Sequence, residues 1–481
     1  MKKYFTFFAS FLLVGALWFA ACGDNSKPDP CETDPQPGCP NYVDPCETDP
    51  QPGCPNYVDP CEIDPQPDCP NYVDPCETDP GPDCPNYDEP PNLRSSITIG
   101  STTYLVDEKR VEKIDNGLYY MYAQIKNTAK PLIIHSVRFT TSSTAYAIET
   151  WVGNDCVTGK ETPAQMVNRY EQEGREVKVA INAGFFGMSA TGTPIGWQVS
   201  RGFLSFFPSV GENAKFPAMG FDENNIPYMG VINSTSKVKK ESDNSELAIT
   251  HVNGGRWENY MMLYNSFKGN STGTNEYGTE VLCTPTADNW EQLSSYVNVR
   301  CKVDMVSSDG NMEIPKGKIV LSGHGAANNY LKPLKEGDYV NVTADFVMEK
   351  YPEITSATLR NAVSGYPYII LTGNTVVPPP GVDRDIETPN HPRTSVGYST
   401  DKKYVYFTVV EGRNPTQASP TISAGVSTRE LAQIMQYFGA ANAINCDGGG
   451  SSCIMIGKET KNFVSDGNQR PVADGLAIIK K

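Results

Sequence analysis

The sequence predicts an α+β fold of mixed, largely antiparallel sheets with few helices. Short runs rich in Val, Ile, Tyr and Thr recur along the chain and are broken by Gly, Asn and Pro, as at 339–347, 367–371 and 403–410. Such runs are typical of strands. Complete helix signals occur at two places, Thr162 and Ser427. The pattern therefore predicts a body built mainly of strands.

Each helix signal is a capping box, in which a Ser or Thr and a Glu or Gln three residues later satisfy each other's backbone amides. The first is Thr162-Pro163-Ala164-Gln165, with proline at the favoured first position and a stop expected at Gly174. The second is Ser427-Thr428-Arg429-Glu430, and a stop is expected at Gly439. Apolar residues between them have helical spacing: Leu431, Ile434, Met435 and Phe438.

The two predicted helices have similar neighbours. Each follows an apolar strand that ends in a carboxylate, at 145–149 and 404–411, and precedes a short strand that ends in Ala-Ile-Asn, at 179–182 and 442–445. This pattern indicates two duplicated strand-helix-strand units, in which Asn182 and Asn445 meet at one site. The alternative is chance agreement over three residues.

The formal charge of −16 is unevenly distributed. Residues 23–91 carry 17 acidic residues and the single base Lys27, whereas residues 92–481 carry 37 basic and 39 acidic residues. A nearly neutral body without a Lys/Arg run lacks the clustered positive surface that binding to nucleic acid requires. We therefore expect no nucleic-acid partner.

Residues 1–22 resemble an export signal. Lys2 and Lys3 precede an apolar stretch that ends in small residues before Cys22, which is the order of a signal peptide. Phe19-Ala20-Ala21-Cys22 resembles a bacterial lipobox, in which the cysteine is acylated; the alternative is an ordinary signal peptide with a fortuitous Cys22. We expect an exported lipoprotein of the periplasm or cell surface that contacts the membrane through its lipid alone.

Residues 23–91, here called the stalk, repeat every 15 residues from Cys31, Cys46, Cys61 and Cys76. Half of the prolines lie in this segment, so it favours an extended spacer with a reach of roughly 200 Å at about 3.1 Å per residue. The paired cysteines, such as Cys31 and Cys39, are interpreted as disulfides, because their spacing matches no zinc-ribbon pattern. A soft-metal site and a ligand-binding repeat of Asp and Cys are the alternatives.

Residues 92–481 are expected to form the globular body. Within it, residues 231–345 lie between the two duplicated units. We interpret them as an elaboration, here called the lobe, that lies over the site.

The main chemical motif is Asn445-Cys446-Asp447-Gly448-Gly449-Gly450-Ser451-Ser452, at the end of a predicted strand. Three glycines allow a backbone to turn its N–H groups toward one anion, and Asp447 presents a carboxylate to the same place. The motif predicts an anion cradle beside a catalytic acid. The alternative is a glycine-rich hairpin turn with Asp447 as an ordinary turn residue.

This motif is the last of eight that follow one another along the chain: VAINAGFF (179–186), STGTN (271–275), VLSGHG (320–325), NAVSGYP (361–367), HPRTSVG (391–397), VEGR (410–413), GVSTREL (425–431) and NCDGGGSS (445–452). In this order the motifs resemble the phosphodiester glycosidase family, over about residues 130–480. The resemblance implies hydrolysis of a sugar-1-phosphodiester at the anomeric carbon, with release of free sugar and a phosphomonoester. The implied substrate is a phosphorylated glycan or sugar phosphate on exported or surface glycans.

Phosphate is a good leaving group, so stabilising its charge matters more in this reaction than a strong general acid. The resemblance implies that Arg393 and the N–H groups of the turn hold the phosphate, the latter from Gly448, Gly449, Gly450 and Ser451. It implies Asp447 as the catalytic carboxylate, with Glu411 as the second choice. The candidates for positioning sugar hydroxyls and phosphate oxygens are Asn182, Asn445 and Ser364, and those for facing the sugar ring are Phe185 and Phe186.

Cysteine and histidine positions bear on cross-links and metals. Cys446 stands where the family usually has an apolar residue, and with Cys453 it is placed to form a disulfide across the glycines. The four histidines lack the spacing of a metal-binding helix or finger. No cofactor is required by the implied reaction, and the sequence leaves a divalent ion at Asp447 open.

Two other functions compete with hydrolysis. One is a non-catalytic surface module that binds phosphorylated or acidic glycans with the same cradle; such a module would gain from losing the negative charge of Asp447, which an enzyme needs. The other is a structural cell-wall or spore-coat component with an idle site. The presence of Asp447, Arg393 and both strand-end asparagines argues against an idle site.

Overall fold

The structure of the chain is a computed structural model. It describes residues 88–481 except 127, 189–191, 209–214, 287–295, 356–357, 376–389 and 414–421, together with residues 31, 34–48, 52, 54–55, 58–59, 62 and 69 of the stalk. Two compact units are present, Met1–Pro85 and Asn86–Lys481. The predicted signal peptide and Cys22 lie outside the described residues.

In the first unit, two stalk repeats are closed by disulfides. Cys31 bonds Cys39 and Cys46 bonds Cys54, each across eight positions of sequence and with the Cα atoms 5.4 Å apart. A short helix, Pro45–Thr48, begins the second repeat. The disulfide interpretation of the paired cysteines is confirmed for these two repeats. Cys69 is also disulfide-bonded, whereas Cys61, Cys76 and Cys84 lie outside the described residues.

The second unit is built of strands. The strands, numbered in chain order, are β1 (Ser96–Ile99), β2 (Thr102–Leu105), β3 (Glu108–Asp115), β4 (Leu118–Ile125), β5 (Leu132–Thr140), β6 (Tyr146–Val152), β7 (Val177–Asn182), β8 (Gln198–Ser200), β9 (Phe203–Pro208), β10 (Pro217–Asp222), β11 (Pro227–Ser234), β12 (Lys237–Lys240), β13 (Glu246–Ala248), β14 (His251–Val252), β15 (Met261–Tyr264), β16 (Thr279–Pro285), β17 (Tyr296–Ser307), β18 (Ile319–Gly323), β19 (Tyr339–Ala344), β20 (Phe346–Met348), β21 (Tyr351–Thr355), β22 (Leu359–Ser364), β23 (Tyr368–Leu371), β24 (Asn374–Thr375), β25 (Arg393–Tyr398), β26 (Tyr404–Val410), β27 (Asn442–Asn445), β28 (Ile454–Ile456), β29 (Glu459–Thr460) and β30 (Asp474–Lys480).

The described helices of this unit are α1 (Pro163–Gln172), α2 (Ala326–Leu331) and α3 (Thr428–Phe438). Both predicted capping boxes are formed, at Thr162 and at Ser427. Helix α3 ends at Gly439, which adopts the left-handed conformation with a φ of 111°. Helix α1 ends at Gln172, two residues before the predicted stop at Gly174.

The strands form four sheets. The order is β1-β2 in the first, β13-β12-β19-β17-β16-β18-β15-β14-β9-β8-β22-β10-β11-β20-β21 in the second, β24-β23-β27-β25-β26-β5-β4-β3 in the third and β29-β28-β7-β30-β6 in the fourth. The short pair β14 and β15 is parallel, whereas the ladders of the third and fourth sheets are antiparallel. The predicted α+β class with few helices is confirmed.

The two strand-helix-strand units share one arrangement. Strands β6 and β7, joined through α1, both pair antiparallel with β30, which lies between them. Strands β26 and β27, joined through α3, both pair antiparallel with β25, which lies between them. Each unit therefore holds its two strands parallel to each other on either side of a strand from elsewhere in the chain.

Apolar layers hold the sheets and helices together. One buried cluster joins the third and fourth sheets through Val137, Phe139, Val179 and Ile181. Helix α3 packs on the third sheet in a second cluster and α1 on the fourth sheet in another. The lobe contributes β12–β19 to the long second sheet, whose own core is separate.

One predicted strand segment is interrupted at a single residue. Residues 339–347 form two strands, because Asp345 leaves the ladder: its amide donates to Ser236 Oγ at 3.0 Å and its Oδ1 accepts from Phe346 N at 2.8 Å. Strand β19 pairs with β12 and β17, and β20 pairs with β11 instead. Among the helices of the described part of the chain, none is long and apolar enough to cross a membrane.

Candidate functional site

Arginine side chains surround residues 447–452, here called the glycine turn, which follows β27. A Cβ atom on Gly448 would lie 3.7 Å from Arg393 Cδ. A Cβ atom on Gly449 would lie 3.1 Å from Arg413 Nη1, and the φ of Gly449 is 61°. A Cβ on Gly448 would also lie only 2.7 Å from Pro392 O, so glycine is required there by the close backbone. At Gly449 it is required because the residue is left-handed and Arg413 approaches closely.

The third glycine meets a third arginine. A Cβ atom on Gly450 would overlap Arg470 Nη2 and Asp466 Oδ2. Arg470 pairs with Asp466 at 2.5 Å and its Nη1 donates to Ser451 Oγ at 3.4 Å. Three arginine side chains therefore lie against one turn, two of them with their guanidinium groups, and we call Arg393, Arg413 and Arg470 the arginine triad.

Asp447 is half-buried at the start of the glycine turn. Its Oδ1 accepts a hydrogen bond from Gly448 N at 2.9 Å. Burial raises the pKa of Asp447 to about 6, against the hydrogen bonds from Ser451 and Gly448 and the charge of Arg470, which lower it. Asp447 is thus mostly ionised at pH 7 and can take up a proton close to neutrality.

A second carboxyl lies beside Asp447, and sequence reasoning missed it. Asp474, the first residue of β30, is buried, and its two oxygens accept from Gly184 N and from Gln198 Nε2, both at 2.6 Å. Burial raises the pKa of Asp474 to about 6, and the charge of Asp447 raises it further. The only sequence signal was a lone carboxylate at the start of an apolar strand.

Arg393 is buried at the start of β25, and its Nε donates to Val426 O at 3.1 Å. Burial lowers the pKa of Arg393 to about 10, and the nearby charge of Arg413 lowers it further. Arg413 is exposed and its Nη2 lies 3.0 Å from His391 Nδ1. Two positive charges held this close favour an anion between or beside them.

Asn182 connects the ends of three strands. Its Nδ2 donates to Asp447 O at 2.7 Å, and its Oδ1 accepts from Thr394 Oγ1 at 2.8 Å and from Cys453 N at 3.0 Å. The side chain is fully buried. Asn182 therefore fixes the glycine turn, and its amide is already used by the protein.

Asn445 and Ser364, the last residues of β27 and β22, are the other two predicted positioning residues. Asn445 Nδ2 donates to Tyr366 O at 2.7 Å, while its buried Oδ1 has no hydrogen-bond partner within the described residues. Ser364 Oγ accepts from Trp197 N at 2.6 Å. Asn182 and Asn445 thus flank the same glycine turn, and Asn445 offers an unused buried acceptor.

Glu411 lies just beyond β26, in a network of its own. Its Oε1 lies 2.9 Å from His135 Nε2 and accepts from Phe463 N at 2.8 Å. His135 Nδ1 in turn lies 2.7 Å from the hydroxyl of Tyr120. The side chains of Glu411 and His135 are buried, so Glu411 has the surroundings of a structural hydrogen-bond network.

Aromatic side chains form a row near the turn. Phe185 packs edge-on against Phe216, with ring centres 6.4 Å apart, and Phe216 stacks on Tyr366 at 4.7 Å. Phe185 and Tyr366 are half-buried, whereas Phe186 belongs to the core around α1. The structure therefore separates the two phenylalanines, and it adds Phe216 and Tyr366 to the site.

Two expectations about the turn are corrected. Three of the four amides of the predicted cradle are used within the protein, because Gly448 N donates to Asp447 Oδ1, Gly449 N to Pro392 O and Ser451 N to Gly448 O. Cys446 and Cys453 are both free and buried, so no disulfide crosses the glycines. The positive charge at the turn comes from arginine side chains instead of backbone amides.

The part of the chain that holds most of these groups has a family match. Residues 295–479 match the phosphodiester glycosidase family. The resemblance is confirmed there. The match includes Asp447, Asp474 and the whole arginine triad, whereas Asn182 and Phe185 lie N-terminal to it.

The individual relatives of the chain are distant. The prophage-derived, uncharacterized protein YomE of Bacillus subtilis (strain 168) is 34% identical over 88 residues, which are 18% of this chain and 13% of that protein. The chain thus spans about an eighth of the length of the curated relative it matches.

Solved structures extend the likeness of fold. A hypothetical protein from Synechocystis superposes with a TM-score of 0.60 at 17% identity, over 78% of this chain and 64% of that one. A candidate exported protein from Burkholderia pseudomallei K96243 has a TM-score of 0.57 at 18% identity, over 73% and 75%. Both share the fold of this chain.

The catalytic domain of zebrafish N-acetylglucosamine-1-phosphodiester alpha-N-acetylglucosaminidase, auto-inhibited by its pro-peptide, has a TM-score of only 0.38. Its identity to this chain is 12%, over 78% of this chain and 88% of that one. A likeness this weak supports no inference about the site.

A metal centre was left open by the sequence. Among the side chains that the structure describes, no group of three or more His, Cys, Asp or Glu is placed to hold a metal ion. The two carboxyls at the glycine turn, Asp447 and Asp474, both already accept protein hydrogen bonds.

Proposed function

We propose that the chain hydrolyses a sugar-1-phosphodiester at the anomeric carbon, releasing free sugar and leaving a phosphomonoester on the partner. The observation that carries the proposal is the convergence of the arginine triad on a turn that begins with the ionisable Asp447. The family match over residues 295–479 supports the same reaction class.

The arginine triad is suited to the leaving group. A phosphodiester carries one negative charge, and the phosphomonoester that departs gains a second. Guanidinium groups already fixed around the site stabilise the charge as it develops, and they act more strongly where water is excluded. Arg393 is buried and fixed by β25, so we assign it the main role, with Arg413 and Arg470 completing the phosphate site.

Asp447 is assigned the carboxylate role at the anomeric carbon. With a pKa of about 6 it is mostly ionised at pH 7, so it can stabilise an oxocarbenium-like centre, attack it, or accept a proton from water. We replace Glu411 by Asp474 as the second carboxyl, because Asp474 is electrostatically coupled to Asp447, whereas Glu411 is held by His135 and Phe463.

The remaining candidates receive different roles. Asn182 is proposed as a positioning residue, since all three of its hydrogen bonds fix the backbone or side chains around the turn. Asn445 Oδ1 is proposed as an acceptor for a sugar hydroxyl, because it is buried and unused among the described residues. The row of Phe185, Phe216 and Tyr366 offers the sugar ring an aromatic face.

The test is release of free N-acetylglucosamine from alpha-N-acetylglucosaminyl-1-phospho-methyl mannoside by the purified chain. Turnover that yields equal amounts of sugar and mannose phosphomonoester supports the proposal. If the chain binds phosphorylated glycans without turning over this compound or its glucosyl and galactosyl analogues, the non-catalytic binding module takes its place.

The location is also proposed. The disulfides of the stalk support an oxidising compartment outside the cytoplasm, and we propose anchoring through a lipid on Cys22. Incorporation of labelled palmitate that disappears in Cys22→Ala tests the anchor. Labelling that persists in the variant contradicts it.

A pH dependence follows from the coupled carboxyls. We expect kcat/KM to rise about tenfold per pH unit below pH 6 and then to level off, because ionised Asp447 is the active form and its pKa is raised to about 6. Asp474→Asn moves the rise to lower pH, since the neighbouring negative charge is lost. Profiles of kcat/KM between pH 4 and pH 8 measure both effects. Identical profiles for the unaltered chain and Asp474→Asn would show that Asp474 does not influence the reaction.

The same pKa values predict the pH dependence of stability. Both carboxyls have a raised pKa in the folded state. Between about pH 4 and pH 6 the folded chain therefore still holds their protons, whereas the unfolded chain has already released them. The free energy of unfolding therefore falls as the pH rises through this interval. Urea unfolding at several pH values is the measurement, and Asp474→Asn flattens the slope.

Gly450→Ala tests the place of Arg470. The new methyl overlaps the far ends of the flexible side chains of Arg470 and Asp466, so we expect the chain to fold but Arg470 to be displaced, with about a tenfold loss of kcat/KM. Arg470→Ala gives a similar loss, and the double variant loses no more than the larger single change.

The matched control is Arg300→Ala, which removes an arginine held by Glu241 in an exposed ion pair of the lobe at 2.8 Å; it leaves turnover within twofold. Additive losses in Gly450→Ala and Arg470→Ala would contradict the assignment, because two changes that act through one guanidinium are not additive.

A further inference from the structure

A second polar pocket lies in the lobe, and no residue of the glycine turn or the arginine triad lines it. Its volume is about 300 Å³, at the lower end of the roughly 300–1,000 Å³ typical of small-molecule sites. The segments 254–257 and 272–275 form its walls, with Tyr264 and Lys268 between them. We call it the lobe pocket.

Two cations point to an anionic ligand. Arg256 is fixed by bonds from Nη1 to Ser322 Oγ at 2.9 Å and from Nη2 to Asn275 Oδ1 at 2.9 Å and to Asn275 O at 2.5 Å. These bonds use three of the five N–H donors of a guanidinium. Lys268 is half-buried, its Nζ lies 5.5 Å from the centre of the Tyr264 ring, and burial lowers its pKa.

Neither Arg256 nor Lys268 forms an ion pair within the described part of the chain. The nearby carboxylate, Glu280, is fully buried behind the wall, where its Oε2 accepts from Thr272 Oγ1 at 3.2 Å and from Met312 N at 2.8 Å. The pocket therefore has two cations on its surface and one carboxylate behind it.

Two aromatic residues complete the lining. Trp257 is 70% exposed, an unusual state for the largest apolar side chain. The hydroxyl of Tyr264 is buried and has no hydrogen-bond partner among the described residues. A buried hydroxyl without a partner calls for an explanation, and a ligand atom in the pocket provides one.

We propose that the lobe pocket binds a saccharide that carries a phosphate or carboxylate group. Arg256 and Lys268 hold the anionic group, the Tyr264 hydroxyl bonds one polar atom of the ligand, and the indole of Trp257 covers the face of the sugar ring. The site is separate from the glycine turn, and the inference goes beyond the proposed hydrolysis and does not depend on it.

Other ligands use the pocket less completely. A bare inorganic anion fills only part of the volume and leaves Trp257 uncovered. A neutral sugar leaves both cations without a counter-charge, and a metal ion is repelled by them. If the lobe pocket holds one part of an anionic polysaccharide, the protein stays close to the other parts of the same polymer. The concentration of substrate near the glycine turn then rises, although nothing changes at the turn itself.

The experiment follows the protection of Trp257 from acrylamide quenching in the purified chain, with Trp257→Ala as the blank. The probes are glucose 6-phosphate, glucuronate, glucose and inorganic phosphate. We expect the two anionic sugars to bind at least tenfold more tightly than glucose or inorganic phosphate. Calorimetry then shows at least a tenfold loss of their binding in Trp257→Ala and in Lys268→Gln, at unchanged Tm.

Tyr277→Ala and Lys332→Gln are the matched controls, since these residues line a neighbouring pocket; binding stays within twofold. Protection by only one of the two anionic sugars supports the site and identifies its anion. The proposal is overturned if glucose or inorganic phosphate binds as tightly as the anionic sugars, or if no probe protects Trp257. It is also overturned if a folded Lys268→Gln variant binds the anionic sugars unchanged.

Discussion

Asp447→Asn is expected to lower kcat by about 10³-fold or more while leaving the fold intact. The variant keeps the shape of the side chain and can still accept from Gly448 N, so the glycine turn is preserved. It removes the charge that would stabilise or attack the anomeric carbon or take a proton from water, and changes at such carboxylates typically cost two to four powers of ten.

Glu411→Gln tests whether Glu411, the second carboxylate predicted from the sequence beside Asp447, takes part in the reaction. Because Glu411 is held by His135 and Phe463, we expect this variant to lower Tm and to change kcat less than tenfold. Sugar release and thermal melts of both variants are the measurements. If Glu411→Gln loses as much turnover as Asp447→Asn at unchanged Tm, the second catalytic carboxyl is Glu411 and not Asp474.

Arg393→Met is expected to lower kcat/KM by about 10²–10³-fold, the usual cost of removing one preorganised group that stabilises developing charge. Stability should be unchanged or higher. Burial and Arg413 both lower the pKa of Arg393, so its charge is unfavourable to the folded state. Methionine of similar shape removes that charge. Loss of activity with equal or greater stability would mark a residue kept for function.

Arg138→Met is the matched control, because Arg138 is also a buried arginine. Its Nη2 bonds Asp88 Oδ2 at 2.8 Å, and its guanidinium lies 4.3 Å from the centre of the Tyr404 ring. Breaking this pair leaves the buried Asp88 carboxylate without its positive charge, so we expect a loss of about 3–5 kcal/mol in stability and little change in kcat/KM per folded molecule. If both arginine variants lose stability and activity in parallel, Arg393 is structural.

The sequence predicted those features that depend on local chemistry. Both capping boxes, the left-handed stop at Gly439 and the strand ends at Asn182 and Asn445 occur where short-range signals indicated them. The meeting of these two strand ends at one turn could also be anticipated, because the two helices have similar neighbours along the chain.

The rest of the site depends on long-range packing, for which no local signal exists. Arg470 and Asp474 come from segments without a recognisable motif, and Arg413 stands in a motif whose role was unassigned. The sequence predicted that the three glycines let the backbone turn its amide groups toward an anion. In the structure Gly449 and Gly450 provide space for two guanidinium groups and Gly448 for the carbonyl of Pro392, a role that becomes visible only when the partners are known.

Strand β30 has a consequence for the order of assembly. It pairs with β6 and β7, so that Gly475 lies opposite both Trp151 and Asn182, about 300 residues earlier in the chain. Contacts so far apart in sequence close late, after shorter loops have formed. Since Asp474 begins this strand, the pair of coupled carboxyls is absent until the last strand has been made and paired. A chain that has formed the glycine turn but not β30 would have no complete site, so activity would be confined to molecules that have completed folding.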